Sequence, residues 1–320
     1  MASPKNFFKP FKNYINRPFS SWLWWGALLL IWLLSTWFDR AWLSHDQRLP
    51  SWDQAEYLSS ALEHGRGLGL LPPSEWNGWH ALLDLSPKIP PLSALISGSL
   101  MAFTGEAADK ASWVLSLWHG LLLIVVAVWG RVLGGSRLGL LAAVTLVLSP
   151  AMAEHRVEFS LDLAVATSSI LSLWLLFLWQ RDSPEGGKWS QAIAAAFSIG
   201  VALLIKQSAL LVLAMPSFWA AWQAFSSKKR RSQTIAGISL VTSMLLPWLH
   251  HNWITTIGGT QRAVLISGAE EGDPGVLTLQ SWIWYPKLMP NQLGVLVLTL
   301  SLIHISEPTR PRLISYAVFC

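Results

Sequence analysis

The stretch SWLWWGALLLIWLLSTWF, Ser21 to Phe38, runs for eighteen residues without a charged side chain. A segment of that length and composition suits one environment. As a helix it satisfies its own backbone hydrogen bonds, and lipid accepts its side chains. Further apolar runs lie at about residues 112–130, 138–150, 160–179, 190–205, 208–225 and 234–249, and another begins near Asn291. Several fall short of the ~20 residues that a spanning helix needs, so their limits are soft. Only 13% of the chain is charged, against about 25% in a soluble domain. The expectation is an all-α polytopic integral membrane protein.

Connecting loops fix the orientation. Basic residues gather in the N-terminal arm (Lys5, Lys9, Lys12, Arg17), in the GRVLGGSR loop, around Arg181 and Lys188, and in Lys228–Arg231. Alternating crossings from a cytoplasmic N-terminus place all twelve of these inside, as the positive-inside rule requires. That parity holds only if PPLSALISGSLMAF (90–103) is an interfacial or re-entrant helix rather than a span. The first outer loop then runs from about Asp39 to Ala111. The net charge of +5 belongs to these inner loops, and nucleic acid is not expected as a partner. The single Cys320 excludes a disulfide framework or a CxxC metal site.

Two C-terminal blocks stand apart. LSLIHISEPTR (300–310) and ISYAVFC (314–320) read as in-frame translations of a transposase-type sequencing adapter and its flow-cell end. Residues 300–320 are therefore expected to be adapter-derived. Residues 1–299 are expected to be the N-terminal part of a longer membrane domain, with no cleavable signal peptide.

Outside the first span, LPSWDQAEYLSSALEHG (49–65) carries an S-x-x-Q capping box at Ser51 and Gln54. A helix from Trp52 places Asp53, Glu56, Tyr57 and Ser60 on one polar face, with Ala55, Leu58 and Leu62 on the other. Such a helix lies along the membrane surface. An acid in the first turn is also favoured by the helix dipole alone, by about 0.3–1 kcal/mol. Spacing therefore leaves both a catalytic and a purely structural Asp53 open. Asp53, Glu56, Glu154, Glu158, Asp162, Lys88, Lys206 and His250–His251 all fall on the outer face. That suits a surface active site better than the midplane site of a transporter.

The segment WDQAEYLSSALEHGRGL resembles the first-loop D-E-A-x-Y signature of the GT-C glycosyltransferase superfamily, which includes protein O-mannosyltransferases and the aminoarabinose transferase. Five more blocks follow in family order: SPKIPPLSALISGSLMAFTG, RVEFSLDLAVATSSILSLWLL, GVALLIKQSALLVL, LPWLHHNW and EEGDPGVLTLQSWIWYPKLMPNQLG. Together they cover essentially residues 20–298. The resemblance implies a GT-C bundle with interfacial helices in the first outer loop. It also implies transfer of a sugar from a polyprenyl-phosphate donor, with inversion, to a glycan, lipid or protein acceptor. The site would face the periplasm or exterior from the inner or plasma membrane.

By the same resemblance Asp53 matches the catalytic base, Lys88 and Lys206 match groups that steady the donor phosphate, and Asp162 matches an acid that holds sugar or acceptor. Glu56 could substitute for the second acid of the D-E pair, which is Gln54 here, and Tyr285 could line the pocket. The Gln54 departure weakens a two-carboxylate metal site. No metal ligand is assigned and no cofactor is indicated, although a divalent metal is left open. Lys206 reads equally as a snorkelling interfacial lysine, and Arg156 as a partner of Glu158. Adjacent His250 and His251 point in different directions on a helix and lack the i, i+4 ligand spacing. A rival from another class is a non-enzymatic carrier or flippase of lipid-linked glycans, which leaves the capped acidic helix unexplained.

Overall fold

The computed structural model describes residues 20–181, 187–262 and, with gaps, 266–299. The described residues are helical and contain no strand. The apolar runs become α1 (Ser21–His45), α6 (Trp113–Gly134), α9 (Asp162–Arg181) and α12 (Lys228–Arg262), each long and apolar enough to cross a bilayer. A fifth candidate is the pair α7 (Ser136–Leu148) and α8 (Pro150–Val157), which bends by 66° at Ser149. The helices α10 (Trp189–Ile205) and α11 (Ala209–Ala224) have 17 and 16 residues. At 1.5 Å per residue they reach only about 24–26 Å. The described residues thus form an all-α bundle with several candidate membrane spans.

Between α1 and α6 lie α2 (Trp52–Gly67), α3 (Trp79–Asp84), α4 (Leu92–Thr104) and the short α5 (Ala108–Ala111). With 13 residues, α4 spans about 20 Å and is too short to cross. It packs instead against α2, at a seam only small residues permit. A Cβ on Gly98 would sit 2.2 Å from the Ala61 carbonyl oxygen and 2.7 Å from the Gly65 nitrogen. That seam corrects the two-faced reading of α2. Ala55, assigned to the apolar face, is exposed, while Tyr57, assigned to the polar face, is half-buried against the core with Leu58 and Leu62. The helix faces a neighbouring helix more than lipid, which rotates its buried side toward Tyr57, Ala61 and Gly65. The capping box expected at Ser51 and Gln54 opens the helix, with the Ser51 N–H donating to Gln54 Oε1 at 3.4 Å.

Two expectations about charges also change. The first helix runs to His45, so Asp39 is a helix residue and not the start of a loop. Arg156 pairs with Asp39 and not with Glu158, at 2.9 Å between Nε and Oδ2, with both side chains buried. A guanidinium entering an apolar bundle needs a desolvated acid as partner, and buried Asp39 supplies it. Within α9 the hydroxyls of Thr167, Ser168 and Ser172 donate to the carbonyls one turn back, so no polar atom of theirs meets lipid unpaired.

The two ends of the bundle differ. At one, Arg131 stacks over Trp24 and Arg230 over Trp179, with Arg230 also donating to Gln180. At the other lie α2 to α5, α8, the first residues of α9, and the turn between α10 and α11.

Candidate functional site

A cavity of about 440 Å³ opens at this second end, between α2, the loop 85–91, the first turns of α4 and residues 159–161. Glu56, Tyr57, Glu63, Ser86, Lys88 and Phe159 are among its lining residues. The loop is rigidly held. Trp248 Nε1 of α12 donates to the Ser86 carbonyl at 2.9 Å, and Gln207 Nε2, from the α10–α11 turn, donates to the Lys88 carbonyl at 3.1 Å. Beneath it His64 is fully buried, its Nδ1 2.7 Å from the Ser60 carbonyl and its Nε2 3.4 Å from the Ser86 hydroxyl. Burial lowers the His64 pKa, so the ring is neutral and can donate at Nδ1 and accept at Nε2.

Charges at the cavity are paired across elements. Lys88 Nζ stands 3.5 Å from Glu56 Oε2, joining the loop to α2. Lys206 Nζ stands 3.0 Å from Asp162 Oδ1, joining the α10–α11 turn to the first residue of α9. The two pairs are neighbours, because Gln207 follows Lys206 and binds the Lys88 carbonyl. Tyr57 is the common point. Its hydroxyl is held protonated well above its ordinary range, first by burial and then by the charges of Asp53, Asp162 and Glu56.

The sequence-derived site residues thus divide. Glu56 and Lys88 line the cavity, and Asp162 and Lys206 form a pair beside it. Asp53 sits one turn before Tyr57 on α2, exposed, outside the lining, with no hydrogen bond or ion pair among the described residues. Tyr285 falls on α13 (Leu279–Leu293), but its side chain lies outside the described residues. Sequence reasoning missed Glu63, which lines the cavity two turns beyond Glu56. A spacing of seven residues in a helix was the available signal. It also missed Gln207 and the buried His64–Ser86 support, for which no local signal exists. Among the described residues, the group able to hold a metal lies apart from the cavity acids. His80, Asp84 and His251 bring three ligand atoms within 4.8 Å of one another where α3 meets α12, about three turns before the end of α12.

The profile of the family described as dolichyl-phosphate-mannose-protein mannosyltransferase matches residues 88–251, half of the chain. No curated protein sequence matches. The fold is similar to the crystal structure of ArnT from Cupriavidus metallidurans in the apo state, with a TM-score of 0.56 at 16% identity. That match covers 85% of this chain and 47% of the ArnT chain. The structure of the same protein bound to undecaprenyl phosphate gives a TM-score of 0.52 at 17% identity, over 75% of this chain and 42% of the other. This chain therefore spans less than half the length of those structures.

Proposed function

This chain belongs to the dolichyl-phosphate-mannose-protein mannosyltransferase family, and from that premise we propose that it contributes the donor site of a membrane glycosyltransferase. The donor is a sugar on polyprenyl phosphate. The acceptor is a glycan, lipid or protein hydroxyl, and transfer takes place on the periplasmic or exterior face of the inner or plasma membrane. One observation carries the reading: two lysines and several carboxylates from distant segments converge around Tyr57 at the mouth of a cavity at the non-basic end of the bundle. The bound undecaprenyl phosphate of the ArnT structure supports the donor class by likeness of fold.

In this reading the acceptor oxygen attacks the anomeric carbon as the bond from that carbon to the phosphate oxygen breaks. The hydroxyl proton passes to Asp53, and polyprenyl phosphate leaves with the electron pair. Attack opposite the leaving group inverts the anomeric centre. A positioned base supplies about 10²–10⁴-fold. The leaving phosphate needs no proton but gains from fixed positive charge. Lys88 and Lys206 supply it by exchanging Glu56 and Asp162 for phosphate oxygens. Both ion pairs include a group about half exposed, so each contributes no more than about 1 kcal/mol and exchanges readily. Glu56, released from Lys88, then faces the positive charge that develops on the sugar ring.

Residues 300–320 we assign to adapter sequence, so the assay belongs in the product of the uninterrupted gene. Asp53→Asn should lower sugar transfer about 10²-fold or more, normalised to folded protein in the membrane, while Glu63→Gln should leave a measurable rate. Wild-type turnover by Asp53→Asn would remove Asp53 from catalysis. In that event Glu56→Gln shows whether the cavity acid is the base.

A further inference from the structure

We propose that His80, Asp84 and His251 form a divalent transition-metal site, best matched to zinc, that fastens the first outer loop to α12. His80 and Asp84 stand at i, i+4 on α3 and so share one face of that helix. His251 arrives from α12, 167 residues later, with its Nε2 2.5 Å from Asp84 Oδ1. His80 Nδ1 lies 3.8 Å from Asp84 Oδ2, too far for a hydrogen bond, and its ring meets that of His251 edge to face at 4.4 Å.

Tetrahedral zinc with bonds of about 2.0–2.2 Å sets its ligand atoms roughly 3.3 Å apart. The three atoms here lie within 4.8 Å of one another, so small side-chain rotations complete the triangle. Two imidazoles and one carboxylate suit zinc and neighbouring transition metals, whereas calcium and magnesium prefer all-oxygen sets. The fourth position faces solvent, since His80 and Asp84 are exposed.

The ligands are placed without the metal. Trp248, His251 and Asn252 share one face of α12. Trp248 donates to the Ser86 carbonyl and Asn252 Nδ2 to the Leu83 carbonyl at 3.1 Å, on either side of Asp84 in near sequence. The scaffold thus holds α3 against α12 and presents His251 to Asp84. A metal there would lock the start of the loop that carries Lys88 into the cavity. It would act on the position of that lysine without touching substrate.

The test uses tag-free protein in detergent, stripped with a chelator and titrated with zinc against a chromophoric competitor, with thermal unfolding followed in parallel. The expected result is one zinc per chain and a raised unfolding midpoint, with magnesium giving neither. His251→Gln and His80→Gln should each weaken zinc binding at least about 100-fold, beyond the 10–100-fold that outer-shell partners command. His80 is largely exposed, so its variant folds even if that of His251 does not. Absence of stoichiometric zinc, or binding unchanged in His80→Gln, overturns the proposal. Neither readout involves sugar transfer, so the metal site stands or falls apart from the proposed activity.

Discussion

Arg156 and Asp39 are 117 residues apart, yet the guanidinium Nε lies within 3.2 Å of both carboxylate oxygens, and Nη1 reaches the Val147 carbonyl at 3.0 Å. Each side chain is at most 7% exposed. The pair ties α1 to α8, the short helix that leads into Phe159 and Leu161 at the cavity wall. Asp39→Asn leaves a buried guanidinium without its counter-charge, at a cost of about 3–5 kcal/mol. The thermal midpoint in detergent should fall sharply. An unchanged midpoint would mean that water reaches Arg156.

Gly98 has no room for a side chain, because both near neighbours of an added Cβ are backbone atoms of α2. Gly98→Ala must push α2 away from α4, at about 1–3 kcal/mol. Gly26→Ala, where nothing lies within 4 Å, is the control and should be silent. Comparable melts for the two variants would contradict the seam.

Lys88 and Lys206 should act on the donor. Lys88→Ala and Lys206→Ala are each expected to weaken polyprenyl-phosphate binding about tenfold or more while leaving acceptor affinity and folding little changed. A charge-assisted contact contributes roughly 1.5–3 kcal/mol, the basis of that expectation. Unchanged donor affinity in both variants would show that the lysines only hold Glu56 and Asp162.

His64 ties stability to pH. Its folded pKa is lowered by burial from an ordinary value near 6.5. Below pH 6.5 the unfolded chain therefore binds a proton that the folded chain refuses. The contribution is full above that pH and is lost as pH falls toward the folded value. The unfolding midpoint should drop between pH 7 and pH 5, and His64→Gln should flatten that slope. An equal slope in the variant assigns the dependence to other groups.

Sidedness is open to direct measurement. A reporter fused after Arg231 should lie in the cytoplasm, and one inserted near Asn77, between α2 and α3, outside. Both on one side would undo the proposed outward orientation of the site.

What the sequence determined by itself is local. An uncharged run such as Ser21–Phe38 has to be a helix in lipid because its backbone bonds close within the run. The non-spanning α4 was legible from its length alone, and the positions of Lys88, Asp162 and Lys206 from the motif blocks that carry them. The tertiary structure decided which groups meet. That Arg156 takes Asp39 rather than Glu158, that Glu56 lines the cavity while Asp53 stands outside it, and that His251 finds Asp84 across 167 residues are set by helix rotation and register. Those depend on seams such as Ala61–Gly65 against Gly98, where one methyl group changes how closely two helices approach. Periodicity reports that a helix has an apolar side. Only packing fixes which neighbour that side meets, and so which charged groups are left facing one another.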